Sequence, residues 1–198
     1  MGQRTTLNIV TAEQTDWLFE GNNSLPYFWL LLLDRTVVEA VKPQWNSCEA
    51  QWNDEDDENE DQEDYFDEED EEENGEYPAP FRLTPAQFRQ NAERGRIFLM
   101  ANSPDSVTLY NDFIQFIDAR LSPQSIIEID IYEIRHFHDS LEEFFDYIDE
   151  TIEEVESGRT GTTGLICEDD AIGDGTGFAC VEAFEKLDSY QHAMKNRK

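Results

Sequence analysis

Apolar residues recur along this chain in two periods, and each period predicts a different kind of element. Over Arg4–Thr11, Leu7 and Ile9 alternate with polar neighbours among β-branched residues, which predicts an N-terminal strand. Asn22–Ser24 then offers polar caps and Pro26 suits a first helical turn. From Phe28 to Ala40 the spacing predicts a helix with Phe28, Leu31, Leu32 and Val38 facing inward. Leu30 and Leu33 make it apolar nearly all round, so it is expected at the centre of the molecule, with Pro43 ending it. Thr84-Pro85-Ala86-Gln87 is a helix start with the makings of a capping box, and that helix is expected to run to Arg94 with Gly95 as terminator. Ser103-Pro104 repeats the signal ahead of Val107, Tyr110, Phe113, Ile114 and Ile117. Ser122-Pro123 reads two ways: as a helix start from Gln124, or as the lead into a strand in which Ile127, Ile129 and Ile131 alternate with Glu128, Asp130 and Tyr132.

Asp139–Glu156 carries the clearest helical pattern, with Leu141, Phe144, Phe145, Ile148, Ile152 and Val155 at three-to-four spacing. Its other face holds Asp139, Glu142, Glu143, Asp146, Asp149, Glu150, Glu153, Glu154 and Glu156, with no base among them. Like charges three or four residues apart each cost a helix about 0.2–0.5 kcal/mol, a loss that a merely solubilising face would recover with Lys or Arg. Six of the ten glycines fall between Gly158 and Gly177, around a short strand expected at Gly164–Cys167. A last apolar-patterned element spans Phe178 to Leu187, ahead of the basic end Lys195-Asn196-Arg197-Lys198.

Charge changes the picture most at the segment from Asp54 to Glu76, where 17 of 23 residues are Asp or Glu. No helical or strand period survives there, and only Tyr65 and Phe66 offer anything to bury, so a disordered loop is expected when no cationic partner is bound. The whole chain of 198 residues has 46 acids, 14 bases and a formal net charge of -32. The remainder outside the segment still carries 29 acids against 14 bases. The 13 Phe, 7 Tyr and 4 Trp of the whole chain are more than a disordered chain would hold. The sequence therefore predicts an α+β fold: one mostly helical domain over 1–198, with a small antiparallel sheet, interrupted by a polyacidic insertion at 54–76.

Such acidity excludes direct binding to nucleic-acid backbones, which need Lys and Arg, and opposes binding to anionic membranes. Met1–Val10 has one Arg and no apolar run, so no targeting segment is expected, and Phe28–Leu33 is too short to span a bilayer. Three cysteines, Cys48, Cys167 and Cys180, with no CxxC argue against a disulfide framework or a zinc site and for a reducing cytoplasm. No catalytic constellation stands out, and no cofactor or metal is expected. His136 and His138, one residue apart beside Asp139 and Glu142, are the nearest approach to a metal-dependent hydrolase, but there is no HExxH. Glu168-Asp169-Asp170 with Asp174 fails the EF-hand spacing, and Gly173-x-Gly175-x-Gly177 lacks the Lys of a phosphate loop. Cys167 has no partner for nucleophilic catalysis and sits among acids that disfavour its thiolate.

The opening Met1-Gly2-Gln3-Arg4-Thr5-Thr6-Leu7, Trp17 and the run Leu25-Pro26-Tyr27-Phe28-Trp29-Leu30-Leu31-Leu32-Leu33 resemble small cytosolic bacterial immunity proteins of secreted toxin systems. The resemblance covers about the first 40 residues and does not extend to the acidic insertion. It implies one-to-one inhibition of a cognate toxin, without catalysis. Charge points the same way, towards a basic, nuclease-like partner whose active site is covered by an acidic surface. The expected partner-binding residues are Glu142, Glu143, Asp146, Asp149, Glu150, Glu153 and Glu154, supported by Asp67, Glu68, Glu69 and Asp70, with Tyr147, Tyr65, Phe66, Trp45 and Trp52 as aromatic anchors. Two other functions fit the same residues: a nucleic-acid mimic or chaperone for basic proteins in general, and the hydrolase centred on His136 and His138.

Overall fold

Leu7 and Ile9 do lie on a strand, and it is the centre of the sheet. The structure, a computed structural model, describes residues 3–58, 77–160 and 175–196, with only the backbone described for 51–58 and 196. The strands are β1 (Arg4–Val10), β2 (Thr15–Asn22), β3 (Phe81–Leu83), β4 (Ile126–Asp130) and β5 (Phe178–Ala179). They form one open antiparallel sheet in the order β3-β4-β1-β2-β5. The strict alternation of Ile127 and Ile129 with Glu128 settles the reading after Ser122-Pro123 as a strand, with both isoleucines buried opposite Ile9 and Leu7. β2 carries no such signal. A bulge opposite Leu7/Asn8 pairs Phe19 with Leu7 and Trp17 with Asn8, so Leu18 and Phe19 are buried in succession and the alternation is lost.

The helices are α1 (Tyr27–Leu30), α2 (Arg35–Glu58), α3 (Pro85–Asn102), α4 (Val107–Asp118), α5 (Leu141–Ser157), α6 (Glu182–Glu185) and α7 (Asp188–Asn196). Among the described residues the fold is mostly helical, and no helix is long and apolar enough to cross a membrane. The buried side chains form one connected cluster, in which Phe113 packs against both Phe19 of β2 and Phe28, and Phe28 against Tyr110.

The helix expected over Phe28–Ala40 is instead two helices with a break at Leu31–Asp34. Tyr27 to Leu33 are all buried, so the segment is as central as its composition predicts, but it is not one continuous rod. At the break the carbonyls of Leu32 and Leu33 leave the helical ladder. Asn91 Nδ2 donates to the Leu32 carbonyl at 2.8 Å, and the Arg94 guanidinium donates to that of Leu33. Asp34 then restarts the helix: its Oδ1 accepts from the Val37 N–H at 3.0 Å, and its Oδ2 accepts from the same Asn91 amide at 2.8 Å.

Pro43 lies inside α2 rather than ending it, and the backbone stays helical to Glu58, five residues into the expected insertion. An interior proline costs about 3 kcal/mol. Val38, Val41, Trp45 and Cys48 are buried on the core side of the same helix, and full burial of one large apolar side chain contributes about 1.5–3 kcal/mol. Packing therefore outweighs the proline. Residues 59–76, including Tyr65, Phe66, Asp67, Glu68, Glu69 and Asp70, lie outside the described residues, as do the strand expected at Gly164–Cys167 and the acids 168–170 and 174.

The capping box at Thr84 is present, with Thr84 Oγ1 accepting from the Gln87 N–H and Gln87 Oε1 from the Thr84 N–H. Gly95, however, does not end α3. The helix continues to Asn102 because Phe98 and Leu99 still face the core. Glycine is there for closeness: a Cβ at 95 would lie 2.5 Å from Tyr110 Oη and 2.9 Å from Leu31 Cβ. The element expected over Phe178–Leu187 is likewise divided, into β5 and α6, and α7 follows it.

Gly95→Ala should therefore lower stability by roughly 1–3 kcal/mol in urea denaturation, although alanine favours a helix interior by about 1 kcal/mol. An unchanged or raised midpoint would contradict the close approach of α3, α4 and Leu31.

Candidate functional site

α5 forms where its sequence predicts and is fixed at both ends. Ser140 Oγ accepts from the Glu143 N–H at 3.1 Å, and Glu143 Oε2 reaches back to the Asp139 N–H at 2.8 Å. Gly158, at φ 73°, supplies the left-handed turn that ends the helix. Leu141, Phe144, Phe145, Ile148, Ile152 and Val155 are buried, and the Phe144 ring lies 5.6 Å from that of Trp45 and nearly parallel to it. The carboxylates on the outer side are thus carried by a helix whose inner side is locked into the core.

These carboxylates do not form a uniform face. Glu142, Asp146, Glu150 and Glu153 are exposed and have no ion pair among the described residues. Their spacing of four, four and three residues sets them in one stripe along the helix. Asp139, ahead of the first turn of α5, is exposed as well, and the others are engaged or buried. Asp149 is 2.9 Å from Lys42 of α2, and Glu156 lies 3.8 Å from Arg35 and 3.7 Å from Arg94. Burial works against the Lys42 charge, but the hydrogen bonds it donates to Glu39 and Asp149 outweigh it and raise its pKa. Arg94 is pulled down by burial, with Glu156 and Asp34 opposing that shift. Glu143 is engaged in the cap.

Glu154 is a correction: its side chain is buried, so it does not belong to the presented surface. It sits one turn on from the buried Thr151, on the flank of the apolar stripe, a position that helical spacing could have flagged. Lys42, Arg35 and Arg94 had no such signal, because they reach α5 from other helices.

Acids near the C-terminus of a helix face the negative end of its dipole. Arg35 and Arg94 answer that at Glu156, whereas Glu153 has no base beside it among the described residues.

Of the aromatic anchors, Trp45 is a core residue, 1% exposed, whose Nε1 donates to the Ala79 carbonyl at 2.8 Å. Tyr147 is half-buried beside His138, with ring centroids 5.5 Å apart. The side chain of Trp52 lies outside the described residues. His138 also packs on Phe144, and His136 on Tyr132, so both imidazoles are set against rings. Among the described residues no group of three or more His, Cys, Asp or Glu side chains is placed to hold a metal ion. Cys48 is buried and Cys180 exposed.

The outer side of the sheet holds a second kind of acid. Asp130 has its pKa raised by burial and by the nearby Glu133 and Glu128 charges, against a hydrogen bond from the Tyr132 N–H. Its acidity is a cost that the fold absorbs, unlike the solvated stripe on α5.

Comparison of the chain with protein-family models, with curated proteins and with solved structures finds no match.

For Asp130 the raised pKa means that the folded state binds the proton more tightly than the unfolded chain. The associated stability is present at low pH and is lost as pH rises from the unfolded value, about 4, through the folded one. Asp130→Asn should therefore stabilise the protein at pH 7, and the gain over wild type should vanish below about pH 4. Urea midpoints measured across that range check both halves, and a variant no more stable than wild type at pH 7 would contradict the assignment.

Proposed function

We propose that the chain is an inhibitory binding protein that occludes a basic partner through the exposed stripe of α5, and that it acts as a bacterial immunity protein against a nuclease-like toxin. The observation that supports this reading is the division of labour on α5. Asp149 and Glu156 are matched by bases from other helices, while Glu142, Asp146, Glu150 and Glu153 are left solvated in one line. Repelling carboxylates on a rigid helix carry a cost without structural return. A partner with Lys and Arg around a substrate channel would relieve that cost and lose access to its substrate. Because the core side of α5 is fixed, the stripe meets such a partner without first having to be ordered. The net charge of -32 would add long-range steering to the short-range match. The polyacidic stretch within 54–76 contributes to capture in this reading, and the stripe to recognition.

Affinity capture from the source cells followed by mass spectrometry should return a basic protein. The same bait with Glu142, Asp146, Glu150 and Glu153 all changed to Lys should lose it. Glu143 is left intact so that the helix cap survives. With the captured partner, the association rate of the Lys variant should fall by about 10–1000-fold at low salt and lose most of its salt dependence. Unchanged association kinetics would remove the electrostatic basis of the proposal.

A further inference from the structure

A different face of the molecule has the opposite character. α3 is the one helix with a clear excess of base among the described residues, holding Arg89, Arg94 and Arg96 against Glu93. Arg94 is turned inward to the Leu33 carbonyl, which leaves Arg89, Glu93 and Arg96 outside. Arg96 pairs with Glu93 at 2.6 Å, and Arg89 reaches across to Asp118 of α4 at 2.7 Å, so this face is neutral on a strongly acidic molecule. It also carries two of the large exposed apolar side chains, Ile97 at 58% and Met100 at 55%. Beside them, between α3 and α4, is a cleft of 230 Å³ with Ala92, Tyr110 and Ile114 in its lining. That volume is below the roughly 300–1,000 Å³ of a site for a free small molecule. It suits an inserted side chain.

We propose that this face is an isologous interface with a second copy of the same chain. Such an interface must be self-complementary about its two-fold axis, so that each pairing occurs twice. The order of residues along α3 has this property. With two copies of α3 antiparallel and the axis midway between Glu93 and Arg96, Glu93 faces Arg96 of the second copy, and Arg96 faces its Glu93. The same register sets Ile97 opposite Ala92 of the second copy, at the mouth of the cleft, and Met100 opposite its Arg89. Arg96 already touches Met100 within one chain, with Nη1 3.1 Å from Sδ, and the outer pairing sets the same thioether against a second guanidinium, that of Arg89. The ion pairs exchange partners without leaving a charge unmatched, and Ile97 fills the cleft.

Two chains of net charge -32 repel at long range, so association through this face strengthens as salt screens that repulsion. Binding of a basic partner to α5 has the opposite salt dependence, and neither proposal depends on the other. The test is sedimentation of the full chain between about 0.01 M and about 1 M salt, over which the Debye length falls from about 30 Å to about 3 Å. The weight-average mass is expected to rise from 23.1 kDa towards twice that value.

Ile97→Asp should remain monomeric throughout, with an unchanged circular dichroism spectrum and melting temperature. At about 0.1 M salt, Glu93→Arg should weaken dimerisation by about tenfold or more, because arginines then face each other. Adding Arg96→Glu to it should restore most of the loss. A wild-type chain that stays monomeric at about 1 M salt would overturn the proposal. So would an Ile97→Asp chain that dimerises like wild type, or a double charge swap that fails to recover.

Discussion

The rest of the structure depends on how the chain interrupts its most apolar segment. Tyr27–Leu33 is buried throughout, and a buried backbone carbonyl without a donor costs about 1–3 kcal/mol. The break between α1 and α2 releases two such carbonyls, at Leu32 and Leu33, in the middle of the core. α3 answers both, through Asn91 and Arg94, and Asn91 also holds the Asp34 carboxylate that starts α2. To reach these groups α3 must lie against Leu31 and Tyr110 at a distance that only Gly95 permits. Arg94 then extends to Glu156 at the far end of α5, so the polar solution in the core also neutralises one end of the acidic helix. Core satisfaction and surface charge are thereby joined through one guanidinium.

This linkage explains what the sequence could and could not disclose. β4 was legible because its inner isoleucines and outer acids alternate without interruption. β2 was not, because the bulge beside Leu18 buries two neighbours in a row. The break after α1 has no local signal: the residues that make it possible, Asn91 and Arg94, are about sixty positions further along. The helix breakers that do stand out, Pro43 and Gly95, both sit inside helices. Pro43 is overridden by the apolar stripe through Trp45, and Gly95 is required by a neighbour rather than by a turn. Local rules name the residue that differs from its surroundings, and only packing decides what the difference is for.

The acidic helix followed its pattern more closely. Period and caps placed α5 to within about two residues, the ordinary uncertainty of a helix end, and six apolar positions are buried as their spacing requires. What the pattern could not supply was the environment of each carboxylate. Asp149 and Glu156 look like Glu150 and Glu153 in sequence, yet α2 and α3 bring bases to the first pair and none to the second among the described residues. Glu154 is buried. Of nine acids, four on α5 stay exposed and unpaired in one line, with Asp139 just ahead of the helix, and that line is what a basic partner would meet.

The central claim is that position on α5, not the total of negative charge, carries recognition. The direct measurement compares two variants with equal changes in net charge against the captured basic partner. In one, Glu142, Asp146, Glu150 and Glu153 become the neutral Gln or Asn. In the other, Asp67, Glu68, Glu69 and Asp70 do. The account predicts that the α5 variant raises the dissociation rate and loses most of the affinity, while the other slows association modestly and leaves dissociation unchanged. Equal losses in the two variants would contradict it.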